Sequence, residues 1–192
     1  MAVDPIRKLG RWLADARRAG AELAEAAALA TADGRGRPSV RYVLVKSIGK
    51  DGVVFYTNAA SRKGRELAAN PHAALAIYWQ ATGKQVRVEG KVRPVSEAEA
   101  DAYWAERPRT SQAASAASNQ SRPLAARAVL LREYRRLERA AREHDVPRPA
   151  VWTGYRIIPN AIEFWTRAEP RLHHRELFER KGRTWTRKLL QP

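Results

Sequence analysis

Residues 40–57 read VRYVLVKSIGKDGVVFYT: an apolar run from Val40 to Lys46, turn residues at Lys50-Asp51-Gly52, and a second apolar run from Val53 to Thr57. Runs rich in β-branched and aromatic residues fit a pleated sheet, and Asp-Gly marks the turn between them, so this stretch predicts paired strands. The same texture begins at Ala26, with Ala27–Ala32 followed by turn residues from Asp33-Gly34 through Pro38. Consecutive antiparallel strands are therefore expected over 26–57. Downstream, Ser61 opens a short helix through Ala69 that stops at Asn70-Pro71, and Ala73–Trp79 and Gln85–Val95 follow as two strands connected at Gly83. Upstream, Asp4 before Pro5 is a helix start, and Ile6, Leu9, Leu13 and Ala16 at helical spacing predict a helix over about residues 5–18.

Ser96 with Glu99 forms a capping box for a helix to about Glu106. Pro108 to Pro123 is rich in Ser and Ala without strong periodicity, and is expected to be a loop or an irregular segment held by a ligand. Leu130, Tyr134, Leu137 and Ala141 predict a long, Arg-studded helix that Pro147 and Pro149 terminate. Four aromatic-rich strands are expected in the tail, at Trp152–Ile158, Ala161–Trp165, Arg171–Phe178 and Trp185–Leu190. With no internal repeat or linker, the chain reads as one domain over 1–192, mainly antiparallel β, a β-barrel flanked by helices.

A chain of 192 residues, 44% hydrophobic and 29% charged, can bury a real core, and no run approaches the ~18 apolar residues a membrane helix needs. No secretory leader is apparent after Met1, so cytoplasmic residence is expected. The absence of Cys excludes disulfides, thiolate metal sites and a Cys nucleophile, so redox chemistry would need a borrowed cofactor. His72, His144, His173 and His174 show no metal-ligand spacing, and no metal is expected. A net charge of +16 invites a nucleic-acid reading. Its 28 Arg and 8 Lys are scattered through every segment, however, which argues against a polymeric partner and for solvated surface or small phosphorylated ligands.

Three places concentrate cations. Phe55-Tyr56-Thr57-Asn58 leads into Ser61-Arg62-Lys63 at a helix start, where free N–H groups and the helix dipole favour an anion although they disfavour Arg62 and Lys63 themselves. Read as a strand, Arg171, His173 and Arg175 share one face, a grouping suited to an anionic or electron-rich ligand or, alternatively, to a charged strand edge. Tyr103 and Arg107, four apart on the expected helix, with Ser111 following, offer donors for a phosphate or simply surface packing. Arg41 and Lys46 fall on opposite faces of a regular strand, and Gln85, Gln120, Ser121 and Trp165 carry no independent pattern.

Taken in order, Arg41-Tyr42-Val43-Leu44-Val45-Lys46, Phe55-Tyr56-Thr57-Asn58, Ser61-Arg62-Lys63, Gln85-Val86, Tyr103, Arg107-Pro108-Arg109, Ser111-Gln112, Gln120-Ser121, Ile162-Glu163-Phe164-Trp165 and Arg171-Leu172-His173 resemble the FMN-dependent pyridoxamine 5′-phosphate oxidase family, from about residue 5 to Pro192. The resemblance implies a split β-barrel homodimer with FMN at the subunit interface. It implies that Arg62 and Lys63 hold the FMN phosphate and that Arg41, Tyr42, Val43, Leu44, Val45 and Lys46 line the flavin with Tyr56 and Thr57. Gln85, Gln120, Ser121, Trp165 and Arg175 would complete that pocket. Lys46, Tyr103, Arg107 and Ser111 would hold the substrate phosphate, and Arg171, Leu172 and His173 would meet the pyridine ring, with Arg171 and His173 as the catalytic pair.

The implied reaction oxidises pyridoxamine or pyridoxine 5′-phosphate to pyridoxal 5′-phosphate, with dioxygen as acceptor and hydrogen peroxide as product. One stretch and one further residue depart from the family pattern: residues 113–116 are Ala-Ala-Ser-Ala where Gly and Trp are typical, and His174 stands where an acidic residue is usual. The basic extension that usually precedes the first helix is also not seen before Pro5. Alternatives are a split-barrel flavin oxidase of the phenazine-biosynthesis type, a flavin binder without turnover, and a basic nucleic-acid-binding barrel.

Overall fold

Asp4 starts the first helix as its side chain predicts: Oδ1 accepts from the Ile6 N–H at 2.9 Å, and Pro5 takes the first turn, where its missing N–H costs nothing. The resulting α1, Pro5–Arg18, turns Ile6, Leu9, Leu13 and Ala16 inward. The computed structural model describes residues 3–192. It falls into two compact units, one made of the chain up to Phe55 with Glu66–Arg93 and Tyr155–Pro192, the other of Tyr56–Arg65 and Pro94–Gly154.

The larger unit is built on most of strands β1 (Ala26–Ala32), β2 (Pro38–Gly49), β3 (Gly52–Asn58), β4 (His72–Trp79), β5 (Lys84–Pro94), β6 (Trp152–Thr166), β7 (His174–Lys181) and β8 (Thr184–Leu190), the end of β3 and the start of β6 belonging to the smaller unit. Their order is β3-β2-β1-β4-β5-β6-β7-β8, mainly antiparallel, and a further β3–β6 pairing closes the first six into a barrel. Closure removes the open edges that a six-stranded sheet would otherwise expose. Alternation along β1 buries Ala27, Leu29 and Thr31, and Leu29 meets Phe55, Leu75, Val86, Ile157, Phe164 and the α1 residues in one core. Burying a Leu or Phe side chain contributes ~1.5–3 kcal/mol, so this cluster is the main source of the unit's stability.

Two elements of the tail differ from expectation. The strands expected at 152–158 and 161–165 are one strand, β6, which runs through Pro159. Gly90 in β5 makes this possible: a Cβ there would lie 2.1 Å from the Ile158 carbonyl oxygen and 2.9 Å from Pro159 Cα, so only Gly lets the two backbones approach. The expected strand from Arg171 begins only at His174, because Arg171 has φ +85°, a left-handed conformation no strand contains. The alternation that would set Arg171, His173 and Arg175 on one face therefore does not apply.

Lys8 of α1 pairs with Glu176 of β7 and lies 4.4 Å from the Phe164 ring centroid. Burial works to raise the Glu176 carboxyl, but Lys8 and Arg187 overcome it and hold the group below its ordinary value. A carboxyl depressed on folding contributes stability fully above its unfolded value, ~4.3, and loses it as pH falls through the lower folded value. Lys8→Met should thus melt below wild type at neutral pH, with the gap in Tm narrowing as pH drops beneath ~4. A gap constant with pH would mean that Lys8 acts only through its contacts with Trp12, Phe164 and Phe178.

The smaller unit carries three helices, α3 (Glu97–Glu106), α4 (Arg109–Ala117) and α5 (Arg127–Ala140), and a core of Trp104, Ala141, Val146 and Trp152. Ser96 caps α3 by accepting from the Glu99 N–H at 3.1 Å, as the capping box predicts. The expected loop after Pro108 is instead helical. Ala-rich sequence propagates a helix readily, and α4 buries only Gln112 and Ala113, a face too narrow to show as periodicity. Helix α5 ends at Ala140, ahead of Pro147; its last carbonyls accept from the N–H groups of residues 141–144, and Arg109 holds the segment that follows by donating to the Ala141 and His144 carbonyls at 3.1 and 2.9 Å. No helix among the described residues is long and apolar enough to cross a membrane.

Candidate active site

In the smaller unit the chain leaves β3 through Asn58-Ala59-Ala60 and enters the short helix α2 (Arg62–Ala69), which continues into the larger unit. Asn58 Oδ1 accepts from the Ala60 N–H at 2.8 Å, shaping the turn. Gly64 is obligatory here, since a Cβ would sit 2.1 Å from the Ala59 oxygen. The tight turn carries Lys63 inward: it is 8% exposed, and Nζ donates to Gln120 Oε1 at 3.0 Å, Thr57 Oγ1 at 3.1 Å and Ser61 Oγ at 3.4 Å. Thr57 Oγ1 also donates to Gln120 Oε1 at 3.1 Å. Thr57 and Lys63, six residues apart, are thus joined with Gln120, 57 residues beyond Lys63, around one buried ammonium, while Arg62 is exposed. Ser121 follows Gln120 on the surface at φ +71°.

A second cluster in this unit is aromatic. Tyr56 stacks on Tyr103 at 4.0 Å between centroids and on Trp152 at 5.2 Å, and Gly154 leaves the space that the Tyr56 ring occupies. Arg107 lies over Trp152 at 4.8 Å and over Trp104 at 5.2 Å, and donates from Nη1 to Ser115 Oγ at 2.9 Å. Arg107 is not helical; with ψ 144° it caps α3, so Trp152 rather than a shared helix face relates it to Tyr103. Ser115, not Ser111, is its hydroxyl partner, and reading 108–123 as loop concealed the helical turn that carries it. Ser111 is half-buried on the same helix. Burial pushes the Arg107 guanidinium below its ordinary value, with Tyr103 opposing, and among the described residues no carboxylate pairs with it. A half-buried cation without a counterion favours an anionic ligand.

In the larger unit β2 presents two faces. Arg41, Val43 and Val45 point to the more buried side, and Val40, Tyr42, Leu44 and Lys46 to the open side, Tyr42 being 78% exposed. Arg41 lies on the more buried side, whereas Lys46 is exposed and falls at the irregularity between Val45 and Ser47, where the alternation is interrupted. Arg41 is fixed by Glu66 of α2, whose Oε2 accepts from Arg41 Nη2 at 3.1 Å, Ser39 Oγ at 2.6 Å and Thr31 Oγ1 at 2.5 Å. Nothing in the spacing of the sequence pointed to Glu66. Cross-strand neighbours of the open side are small: Ala28 opposes both Tyr42 and Ala76, and Ala30 opposes Val40 and Ala74. The result is a flat, apolar face with Tyr78 also exposed on it.

On strands β5 to β7 of the same unit, Gln85 opposes Tyr78, and Trp165 opposes Arg175. Trp165 also lies 4.5 Å from the His173 ring, and the Ala168 N–H donates to His173 Nδ1 at 3.2 Å. That bond makes Nδ1 an acceptor, so in the neutral ring the proton sits on Nε2. His173 is thus joined to Trp165 although it lies outside the strand, whereas Arg171 and Leu172 are exposed in the preceding turn. Arg175 donates to Glu163 Oε1 from Nε at 2.7 Å and to the Gln191 carbonyl from Nη1 at 2.9 Å.

Residues 13–139 match the protein family described as pyridoxamine 5′-phosphate oxidase, and 152–192 match the pyridoxine 5′-phosphate oxidase C-terminal dimerisation region. A pyridoxine/pyridoxamine 5′-phosphate oxidase of Sphingopyxis alaskensis is 49% identical over 192 residues, covering 100% of this chain and 89% of that protein. One of Anaeromyxobacter dehalogenans is 51% identical over 191 residues, covering 100% and 96%. The crystal structure of PhzG from Burkholderia lata in complex with tetrahydrophenazine-1-carboxylic acid superposes with a TM-score of 0.95 at 40% identity, covering 100% of this chain and 94% of that one. These matches run through both units and include every cluster described above, and on that ground the chain belongs to the pyridoxamine 5′-phosphate oxidase family.

Proposed function

We propose that the chain is an FMN-dependent oxidase that converts pyridoxine or pyridoxamine 5′-phosphate to pyridoxal 5′-phosphate. The alcohol consumes one dioxygen and yields one hydrogen peroxide; the amine also takes up water and releases ammonia. The observation that carries this reading is Arg107, a half-buried cation held over two Trp rings beside Ser115 and lacking a carboxylate partner among the described residues. A phosphate dianion is the natural complement of that donor set.

The donor sets also suit FMN. Lys63 and Arg62 stand at a helix start appropriate to the flavin phosphate, and Gln85, Trp165 and Arg175 supply amide, ring and guanidinium on one open face. When bound, FMN would supply the hydride acceptor for the substrate carbon and the route for the electrons to dioxygen. The protein's own part is to orient the ring and to stabilise charge: His173 offers Nε2–H as a fixed donor, and Arg171 supplies a cation from the turn before β7. Residues 1–192 are read as one FMN-binding domain, since both family regions draw on both units. A homodimer is read from the dimerisation region together with the flat face of Ala28, Ala30, Ala74 and Ala76 edged by Val40, Tyr42, Leu44 and Tyr78, an apolar surface suited to burial against a second copy. A cytoplasmic setting accords with a chain that has no Cys.

The relative of known structure that binds tetrahydrophenazine-1-carboxylic acid motivates a second reading, oxidation of an unphosphorylated ring. One assay separates them. Peroxide release with pyridoxine and pyridoxamine 5′-phosphates, from a yellow protein that yields FMN on denaturation, supports the first reading. Turnover of tetrahydrophenazine-1-carboxylic acid without turnover of the phosphorylated vitamers would replace it with the second.

A further inference from the structure

Glu163 is the most deeply buried carboxylate of the larger unit, 4% exposed, yet it lies on the outward side of β6, the side of Trp165, between core residues Ile162 and Phe164. Two guanidiniums cover it. Arg175 of β7 donates from Nε to Oε1 at 2.7 Å. Arg87 of β5 brings Nη2 to 3.0 Å from Oε2, but Oε2 makes no hydrogen bond, so that contact is an ion pair off the hydrogen-bond angle. Arg87 is itself drawn aside by Glu89 at 2.9 Å. Arg175 meanwhile spends one further N–H on the Gln191 carbonyl. Of its five N–H donors two are committed to the protein, and three remain for a ligand.

A guanidinium is planar, so its two bonds, one from Nε and one from Nη1, fix the direction of the remaining donors. We propose that Glu163 is a positioning residue of the oxidase: through Arg175 it sets the orientation in which three N–H groups meet the flavin beside Trp165. The inference rests on the FMN reading of the open face. It accounts for a carboxylate buried among cations on a face where an apolar residue would otherwise be the less costly choice.

The test uses holoenzyme carrying Glu163→Gln, a substitution of equal size that removes the charge and sets an amide against Arg87. FMN should dissociate about tenfold more readily, and the visible flavin bands should shift, with Tm changed little. The same substitution in an Arg175→Ala background should have no further effect on FMN affinity, because a residue that acts through Arg175 has nothing left to position. Should Glu163→Gln fail to fold, Glu163→Asp, which keeps the charge but withdraws it by one methylene, gives the same comparison. Wild-type FMN affinity and spectrum in the folded variant, or an equal loss with and without Arg175, would overturn the proposal. A wild-type protein that binds no FMN would instead overturn the functional reading on which it rests.

Discussion

Arg107→Ala is expected to lower kcat/KM for pyridoxine 5′-phosphate by about 10- to 100-fold while leaving turnover of unphosphorylated pyridoxine within about threefold of wild type. The magnitude follows from the loss of one charge-assisted contact to a dianion, ~1.5–3 kcal/mol, at a site where the guanidinium is already half-buried. Peroxide release with both substrates measures it. The flavin content should not change, because Arg107 shares no hydrogen bond with Thr57, Lys63 or Gln120. Arg107→Lys would keep a charge but lose the planar stack on Trp104 and Trp152, so an intermediate loss is expected. Equal losses for the two substrates would show that Arg107 serves to order those rings and Ser115, and the phosphate assignment would fall.

The double change Arg62→Ala with Lys63→Ala should yield colourless protein that excess FMN partly restores, with activity returning alongside the colour. Lys63 organises Thr57 and Gln120 as well as supplying charge, so its removal leaves polar groups without their donor, and Tm should be recorded to separate unfolding from flavin loss. Arg171→Ala should behave differently: the protein stays yellow and kcat/KM falls by about tenfold or more, since Arg171 stands exposed in the turn before β7, outside the strand that carries Arg175. If Arg171→Ala loses FMN as completely as the double variant, the turn before β7 is a flavin wall and Arg171 is not a substrate contact.

Strand and helix identities were legible wherever a periodic pattern was long and properly capped. The Asp4-Pro5 start, the 40–57 hairpin and the Ser96–Glu99 box all appear in place. Failures occurred where small residues or remote partners made the decision. The helix over 109–117 buries only Gln112 and Ala113, and the segment after the Arg-rich helix is held by Arg109, more than thirty residues upstream of the carbonyls it meets. The break expected near Pro159 is absent because Gly90, on another strand, allows a close backbone approach.

By itself the sequence determined an antiparallel β architecture, a family, and a set of cationic and hydroxyl residues whose chemistry calls for phosphates, because period, capping residues and ordered motifs are local properties of a chain. Only the tertiary structure decided how those residues are used. It turned Lys63 inward onto Thr57 and Gln120, set Arg107 over Trp152, removed Arg171 from the strand face of Arg175, and placed the unsuspected carboxylates Glu66 and Glu163 against Arg41 and Arg175. The reason is physical: the orientation of a guanidinium or ammonium is set by the groups it meets, and here those groups come from other parts of the chain, brought into contact only when the barrel closes and the helices pack.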